Sequence, residues 1–324
     1  MSDDLAVQSP LGLSPQEAQE VLDAAAASLA LSTRKAYASA LRSWRLWCQD
    51  RGIAHLPADP AQVALWLTQM GKEGMSVSTL DRSVAALRHA HLDAGLPDPG
   101  VSRGVTKVRQ GLRRKIGAAP RHQAHPLSTD QIRRIINCIE TTGLRGQRDR
   151  ALILLGYAAA LRRSDLAALN VRDVAFRSKG IVLRIGHSKT DQDGRGEYVG
   201  VVRGQHPETD PVAAVYEWVK AAGLKPSDPL FTPISWSNLR PTFRRMDPRS
   251  VGRVIIARAE SAGLGDLKVT GHSLRAGHAT TATEHGVPAT RLARTTRHRN
   301  LTTLAAYVRP AEVLDDTSSG DLGL

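Results

Sequence analysis

An apolar run in the middle of the chain, residues 151–161, sets the first limit on the fold, and it ends directly at Arg162 and Arg163. The run is too short to span a bilayer, which takes about 20 residues of helix. A helix that is apolar on all sides is instead covered by other elements of a globular domain. The sequence therefore predicts a buried helix over 149–161 at the centre of a sizeable core.

The pattern around this helix predicts a second half that is mainly α with a small antiparallel sheet. Residues 181–185 and 198–202 are apolar segments on either side of a polar stretch, which is typical of a hairpin. Ser128 and Gln131 have the spacing of a capping box, which begins a helix. Further helices are predicted over 211–222 and 248–263 and from residues 272, 289 and 301.

The first half of the chain predicts a small helical bundle. An apolar stripe at the helical period runs from Tyr37 to Cys48. Asp59 before Pro60 is typical of a helix N-cap followed by a proline in the first turn. Further helices are predicted over 78–92 and 101–116. The chain is thus divided into a flexible lead (1–30), a helical domain (31–117), a linker (118–126), a second domain (127–310) and a tail (311–324).

Charge and composition narrow the class of partner. The 324 residues include 44 Lys and Arg against 31 Asp and Glu, a formal net charge of +13. Such an excess favours a polyanionic partner, with nucleic acid ahead of a membrane surface. Cys48 and Cys138 lack metal-ligand spacing, and no dinucleotide or Walker glycine motif occurs. We therefore expect no metal or nucleotide cofactor, and the acidic start, unlike a signal peptide, favours the cytoplasm.

A basic stretch marks the end of the helical domain. No acidic residue lies between Pro99 and Thr129, although the stretch is rich in Lys and Arg. One interpretation is a solvated helix face. The lack of a compensating carboxylate favours the other, a surface that follows DNA phosphates. The candidate DNA-binding residues are Arg34, Lys35, Arg103, Lys107, Arg109, Arg113, Arg114 and Lys115.

A set of polar residues in the second half has the types that phosphate chemistry needs. Taken alone, each has an ordinary interpretation: Arg162 as a salt-bridge partner of Asp165, or Tyr307 as a core aromatic with its hydroxyl at the surface. The set and its order favour a functional interpretation. Its members are Arg162, Lys189, His272, Arg275, His298 and Tyr307.

This order resembles the tyrosine recombinase (phage integrase) family, and the resemblance covers nearly the whole chain. It implies an N-terminal helical core-binding domain and a mixed α/β catalytic domain that form a C-shaped clamp on DNA, as in compact Cre-like or Xer-like members. It also implies a homotetramer on two duplex sites, each with a short inverted repeat. For the tail over 311–324, docking on a neighbouring protomer and a frayed acidic terminus both stay open.

The resemblance assigns a role to each member of the set. Arg162 and Arg275 would hold the scissile phosphate bidentately, a geometry that Lys cannot match. Tyr307 would be the nucleophile, giving a 3′-phosphotyrosine and a free 5′-hydroxyl. The remaining assignments are protonation of the leaving 5′-oxygen by Lys189, proton transfer around the tyrosine by His272, and a hydrogen bond to the phosphate from His298.

Two positions depart from the family's pattern. Arg297 stands before His298, where the family usually has Gly, so that either the local backbone differs or an extra cation lies near the phosphate. Asp165 stands where Glu is commoner, and we expect it to support the site rather than react. Neither departure removes a catalytic group.

The resemblance implies a site-specific DNA recombinase for integration, excision or resolution, encoded by a bacterium, a phage or a plasmid. Two alternatives stay open. One is DNA relaxation of the type IB topoisomerase kind, against which the two-domain layout argues. The other is a catalytically silent DNA-binding regulator on the same scaffold, against which the complete catalytic set argues.

Overall fold

The computed structural model describes residues 28–117, 123–186, 196–237 and 239–297, with a few positions between 14 and 24. The chain forms two compact units, unit 1 up to residue 122 and unit 2 from residue 123, and each is described by itself. The described elements are α1 (Leu31–Gln49), α2 (Pro60–Lys72), α3 (Val77–Asp93), α4 (Arg103–Ile116), α5 (Thr129–Asn137), α6 (Leu144–Ala158), α7 (Arg163–Ala168), β1 (Val174–Arg177), β2 (Gly180–Ile185), β3 (Glu197–Val202), α8 (Pro211–Ala221), α9 (Pro248–Ser261), α10 (Ser273–Glu284) and α11 (Ala289–Thr296).

Unit 1 is the predicted helical bundle, formed by α1 to α4. The Asp59 side chain accepts hydrogen bonds from the backbone amides of Ala61 and Gln62, which confirms the predicted start of α2. The apolar stripe of α1 faces the interior, where the ring of Trp44 lies 5.1 Å from that of Trp66. Both rings are buried, so the bundle closes around an aromatic centre.

The central helix of unit 2 is α6, and residues 151–155 on it are almost fully buried. The helix begins at Leu144 rather than at 149 and ends at Ala158 rather than at 161. It ends early because Ala160 has a φ of 48° and the amide of Leu161 donates back to the carbonyl of Gly156. No helix within the described ranges is long and apolar enough to cross a membrane.

The sheet of unit 2 is antiparallel, in the order β1-β2-β3. The predicted hairpin is confirmed by β2 and β3, with Ile181 opposite Val201 and Leu183 opposite Val199. The structure adds β1, which places Val174 opposite Leu183. With only four residues, β1 is too short for its alternation to stand out in the sequence.

Two glycines allow the helices around α6 to approach closely. A Cβ at Gly156 would lie 2.8 Å from Leu274 Cδ1 on α10 and 3.0 Å from Leu166 Cδ1 on α7. A Cβ at Gly277 would lie 1.9 Å from the carbonyl oxygen of Leu127. Gly156 thus lets α7 and α10 each pack against α6, and Gly277 lets α10 pack against the segment before α5.

Candidate active site

Arg162 and Arg275 meet at the turn that follows α6. Arg162 is the N-cap residue of α7, and Arg275 lies in the first turn of α10 with only 4% of its surface exposed. The Arg275 Nη1 donates to the carbonyl oxygen of Ala160 at 2.8 Å. Since Ala160 stands two residues before Arg162, the fold places the two predicted arginines beside one backbone turn.

Asp165 lies beneath this turn and is almost fully buried. Its Oδ2 accepts from the backbone amide of Arg162 at 3.2 Å, and its Oδ1 accepts from the Ser164 hydroxyl at 3.3 Å. The Arg162 Nη1 is 3.8 Å from Oδ2, which is too long for a hydrogen bond. This buried nitrogen makes no hydrogen bond to the described part of the chain. Asp165 therefore fixes the backbone of Arg162 more firmly than its guanidinium.

Arg297 is the C-cap residue of α11 and has a left-handed backbone, with φ 54° and ψ 48°. Glycine adopts this conformation without strain, whereas other residues rarely do. The Arg297 side chain is buried, and its Nη2 donates to Asp165 Oδ2. Burial lowers the pKa of the Arg297 guanidinium, and Asp165 opposes that shift. Of the two alternatives for this position, the structure shows a buried cation, which is paired with Asp165, on a backbone conformation that glycine also adopts.

Of the other four members of the predicted set, the structure describes only His272. His272 is the exposed N-cap residue of α10, and its backbone is helical, so it stays one turn from Arg275. Lys189, His298 and Tyr307 lie outside the described residues. No group of three His, Cys, Asp or Glu side chains is placed to hold a metal ion in the described ranges.

The basic stretch of unit 1 corresponds to α4, and its charge is partly compensated. Asp81 on α3 pairs with Arg109 at 2.7 Å and with Arg113 at 2.9 Å. The expectation that this stretch lacks a compensating carboxylate is therefore wrong, because the carboxylate comes from another helix. The remaining predicted DNA-binding residues are exposed, namely Arg34, Lys35, Arg103, Lys107, Arg114 and Lys115.

The sequence profile of the Phage integrase family matches residues 126–313. This chain belongs to the phage integrase family. The profile of the Phage integrase, N-terminal SAM-like domain matches residues 24–91 as well. The family and the mainly helical fold with a small antiparallel sheet, both predicted from the sequence, are thereby confirmed.

Relatives and solved structures are similar to this chain over most of its length. An integrase/recombinase xerD homolog of Selenomonas ruminantium is 30% identical over 295 residues, which is 90% of this chain and 85% of that protein. The Tn1549 transposon integrase in complex with transposon right end DNA has a TM-score of 0.61 at 16% identity, covering 92% of this chain and 97% of that one. A lambda integrase tetramer bound to a Holliday junction has a TM-score of 0.59 at 16% identity, covering 86% and 72%.

Proposed function

We propose that this phage integrase family member is a site-specific DNA recombinase that cuts and rejoins duplex DNA through a covalent 3′-phosphotyrosine intermediate. The observation that carries the proposal is the meeting of Arg162 and Arg275 at one turn. Two guanidinium groups can hold the nonbridging oxygens of one phosphate and stabilise the charge that develops during transfer. The buried Arg162 Nη1 is a donor that a phosphate oxygen would satisfy.

In the proposed reaction, Tyr307 attacks the scissile phosphorus. The bond from the tyrosine oxygen to phosphorus forms, and the bond from phosphorus to the 5′-oxygen breaks. His272 takes up the phenolic proton, Lys189 protonates the leaving 5′-oxygen, and His298 donates a hydrogen bond to the phosphate. A tyrosine has an ordinary pKa of about 10, so its attack near neutral pH depends on this base and on the cationic surroundings.

Rejoining is the reverse reaction with the 5′-hydroxyl of another strand. One phosphodiester is exchanged for another, so the overall reaction needs no nucleoside triphosphate.

The proposal extends to how the protein holds and pairs its DNA. The basic face of α4 would follow the phosphates of the duplex, and the domains over 31–117 and 127–310 would both contact the DNA. A homotetramer would join two sites, each with a short inverted repeat, and the lambda integrase tetramer on a Holliday junction supports this assembly. If the substrate is chromosomal, phage or plasmid DNA, the protein would act at the nucleoid, in the bacterial cytoplasm.

Covalent capture tests the proposal. The protein is incubated with fragmented DNA from its own genomic neighbourhood, the mixture is denatured, and protein-linked fragments are recovered and sequenced. Tyr307→Phe is the matched control, because it keeps the ring and removes the nucleophilic oxygen. We expect fragments that share one inverted-repeat site and that depend on Tyr307. Arg162→Ala and Arg275→Ala should reduce the yield by orders of magnitude while the protein stays folded.

The other outcomes separate the alternatives. Adducts scattered over unrelated sequences would support DNA relaxation of the topoisomerase kind. Binding without any adduct would support the catalytically silent regulator. Adducts formed equally by Tyr307→Phe would refute the assignment of the nucleophile.

A further inference from the structure

Arg297 combines two features that are unfavourable for an arginine. Its backbone is in the left-handed region, which strains a residue with a side chain. Its guanidinium is buried, with the side chain only 2% exposed, and burial of a charged group is unfavourable unless the group is paired. The hydrogen-bond partner of the buried side chain is Asp165, whose charge offsets part of the cost of burial.

The contact with Arg297 decides which partner the Asp165 carboxylate bonds. Asp165 Oδ2 accepts from Arg297 Nη2 and from the backbone amide of Arg162. The Arg162 guanidinium is close enough to compete for the same oxygen, yet its Nη1 stays 3.8 Å away. Asp165 Oδ2 thus already accepts two hydrogen bonds, which leaves this oxygen little capacity for a third donor. Arg297 therefore occupies the acceptor that would otherwise hold the side chain of Arg162.

Arg297 also faces a second carboxylate, at the start of β3. The Arg297 Nε is 3.8 Å from Glu197 Oε2, and Glu197 is the first residue of that strand. The chain between β2 and β3 includes Lys189, the proposed proton donor. The buried guanidinium thus lies between the start of α7 and the strand that follows the Lys189 segment.

We propose that Arg297 is a positioning residue of the recombination site. It holds Asp165, so that the guanidinium of Arg162 is left to bind the scissile phosphate. In this proposal Arg297 acts through Asp165, and its own Nε and Nη1, which are buried without a hydrogen bond to the described residues, are not assigned to the DNA. The inference rests on the proposed function, because that function assigns the Arg162 guanidinium to the scissile phosphate.

The first test compares the rate of adduct formation with the affinity for DNA, on the site recovered by covalent capture. In Arg297→Gln, Asp165 can turn to Arg162, and we expect adduct formation to slow about 10- to 100-fold with the affinity unchanged. Arg297→Lys keeps the positive charge that Arg297→Gln removes but lacks the planar guanidinium, and it should recover part of the rate. Arg294→Gln is the matched control, because it removes the same charge from an exposed position on the same helix and should leave the rate unchanged.

The second test asks whether Arg297 acts through Asp165. In an Asp165→Asn background, Arg297→Gln should slow adduct formation little further, because the carboxylate that Arg297 controls is gone. If the two rate losses multiply in the double variant, Arg297 acts on the DNA directly and the inference is overturned. Should Arg297→Gln fail to fold, Arg297→Gly replaces it, since glycine suits the left-handed backbone.

The outcomes distinguish this inference from the proposed function. No adduct from the wild-type protein refutes the proposed function, and the inference falls with it. A normal adduct rate in both Arg297→Gln and Arg297→Gly, with the wild type active, overturns the inference alone.

Discussion

A methyl group at Gly277 is predicted to disturb the site without touching any of its proposed catalytic residues. The Cβ of Gly277→Ala would lie 1.9 Å from the carbonyl oxygen of Leu127 and 2.8 Å from its amide nitrogen. These are backbone atoms, so they cannot rotate away as the end of a side chain can. Ordinary contacts begin at 3.4 Å, and either α10 or the segment at Leu127 must move by more than an ångström.

The sign of the stability change follows from two opposing effects. Alanine favours a helix interior over glycine by about 1 kcal/mol, which would stabilise α10 if the space were open. Overpacking costs about 1–3 kcal/mol, and contact with backbone lies at the upper end. We expect Gly277→Ala to lose about 1–2 kcal/mol, or a decrease of about 2–8 °C in the Tm of unit 2. Gly111→Ala on α4 is the control, because no atom lies within 4 Å of its Cβ, and it should be stabilising.

The assay combines calorimetry with the rate of adduct formation. Arg275 stands two residues before Gly277, and its hydrogen bond to Ala160 depends on where α10 lies. A shift of α10 should therefore slow adduct formation about tenfold or more. A Tm at or above that of the wild type would refute the packing argument. A lower Tm with an unchanged rate would refute the link between α10 and Arg275.

Three further predictions concern charge. Burial lowers the pKa of His278, so neutral His278 stabilises unit 2 above about pH 6.5 and this stabilisation is lost as the pH falls through the folded-state pKa; the Tm should fall less between pH 8 and pH 5 in His278→Gln than in the wild type. Burial raises the pKa of Asp81, but hydrogen bonds from Arg109 and Arg113 outweigh it and lower the pKa, so Asp81→Asn should reduce the Tm of unit 1 at pH 7; the difference from the wild type should begin to shrink only below about pH 4, the ordinary pKa of Asp, and should vanish as the pH falls through the lowered folded-state pKa. DNA binding should weaken steeply with salt, and Lys107→Ala should reduce the slope of log K against log salt by about 1, whereas an unchanged slope would remove Lys107 from the phosphate-contacting face.

The parts of the fold that could be predicted are those fixed by neighbours in the sequence. The start of α2 depends on Asp59 and the next few amides, and the start of α5 depends on Ser128 and Gln131. The hairpin follows from two apolar segments joined by a polar one. The end of α6 was not predictable in the same way, because Ala160 has a positive φ and nothing in its residue type indicates one.

Contacts between residues that are far apart in the chain could not be predicted from the sequence. Asp81 pairs with arginines 28 and 32 residues away, so a count of local charges overstated the free charge of α4. The pairing of Asp165 with Arg297 spans 132 residues. Asp165 and Arg297 each depart from the family's pattern, but only the fold shows that they are in contact.

The two departures from the family's pattern, Asp165 and Arg297, form one ion pair. The buried carboxylate of Asp165 lies beside Arg162, and its strength as a partner for Arg162 depends on what else it bonds. With glycine at position 297, Asp165 would have Arg162 as its nearest guanidinium, and the proposed phosphate ligand would be held by a protein carboxylate instead. With Arg297 present, the carboxylate is bonded elsewhere. Asp165 and Arg297 are therefore one coupled feature of the site, and a change at either position alters the freedom of Arg162.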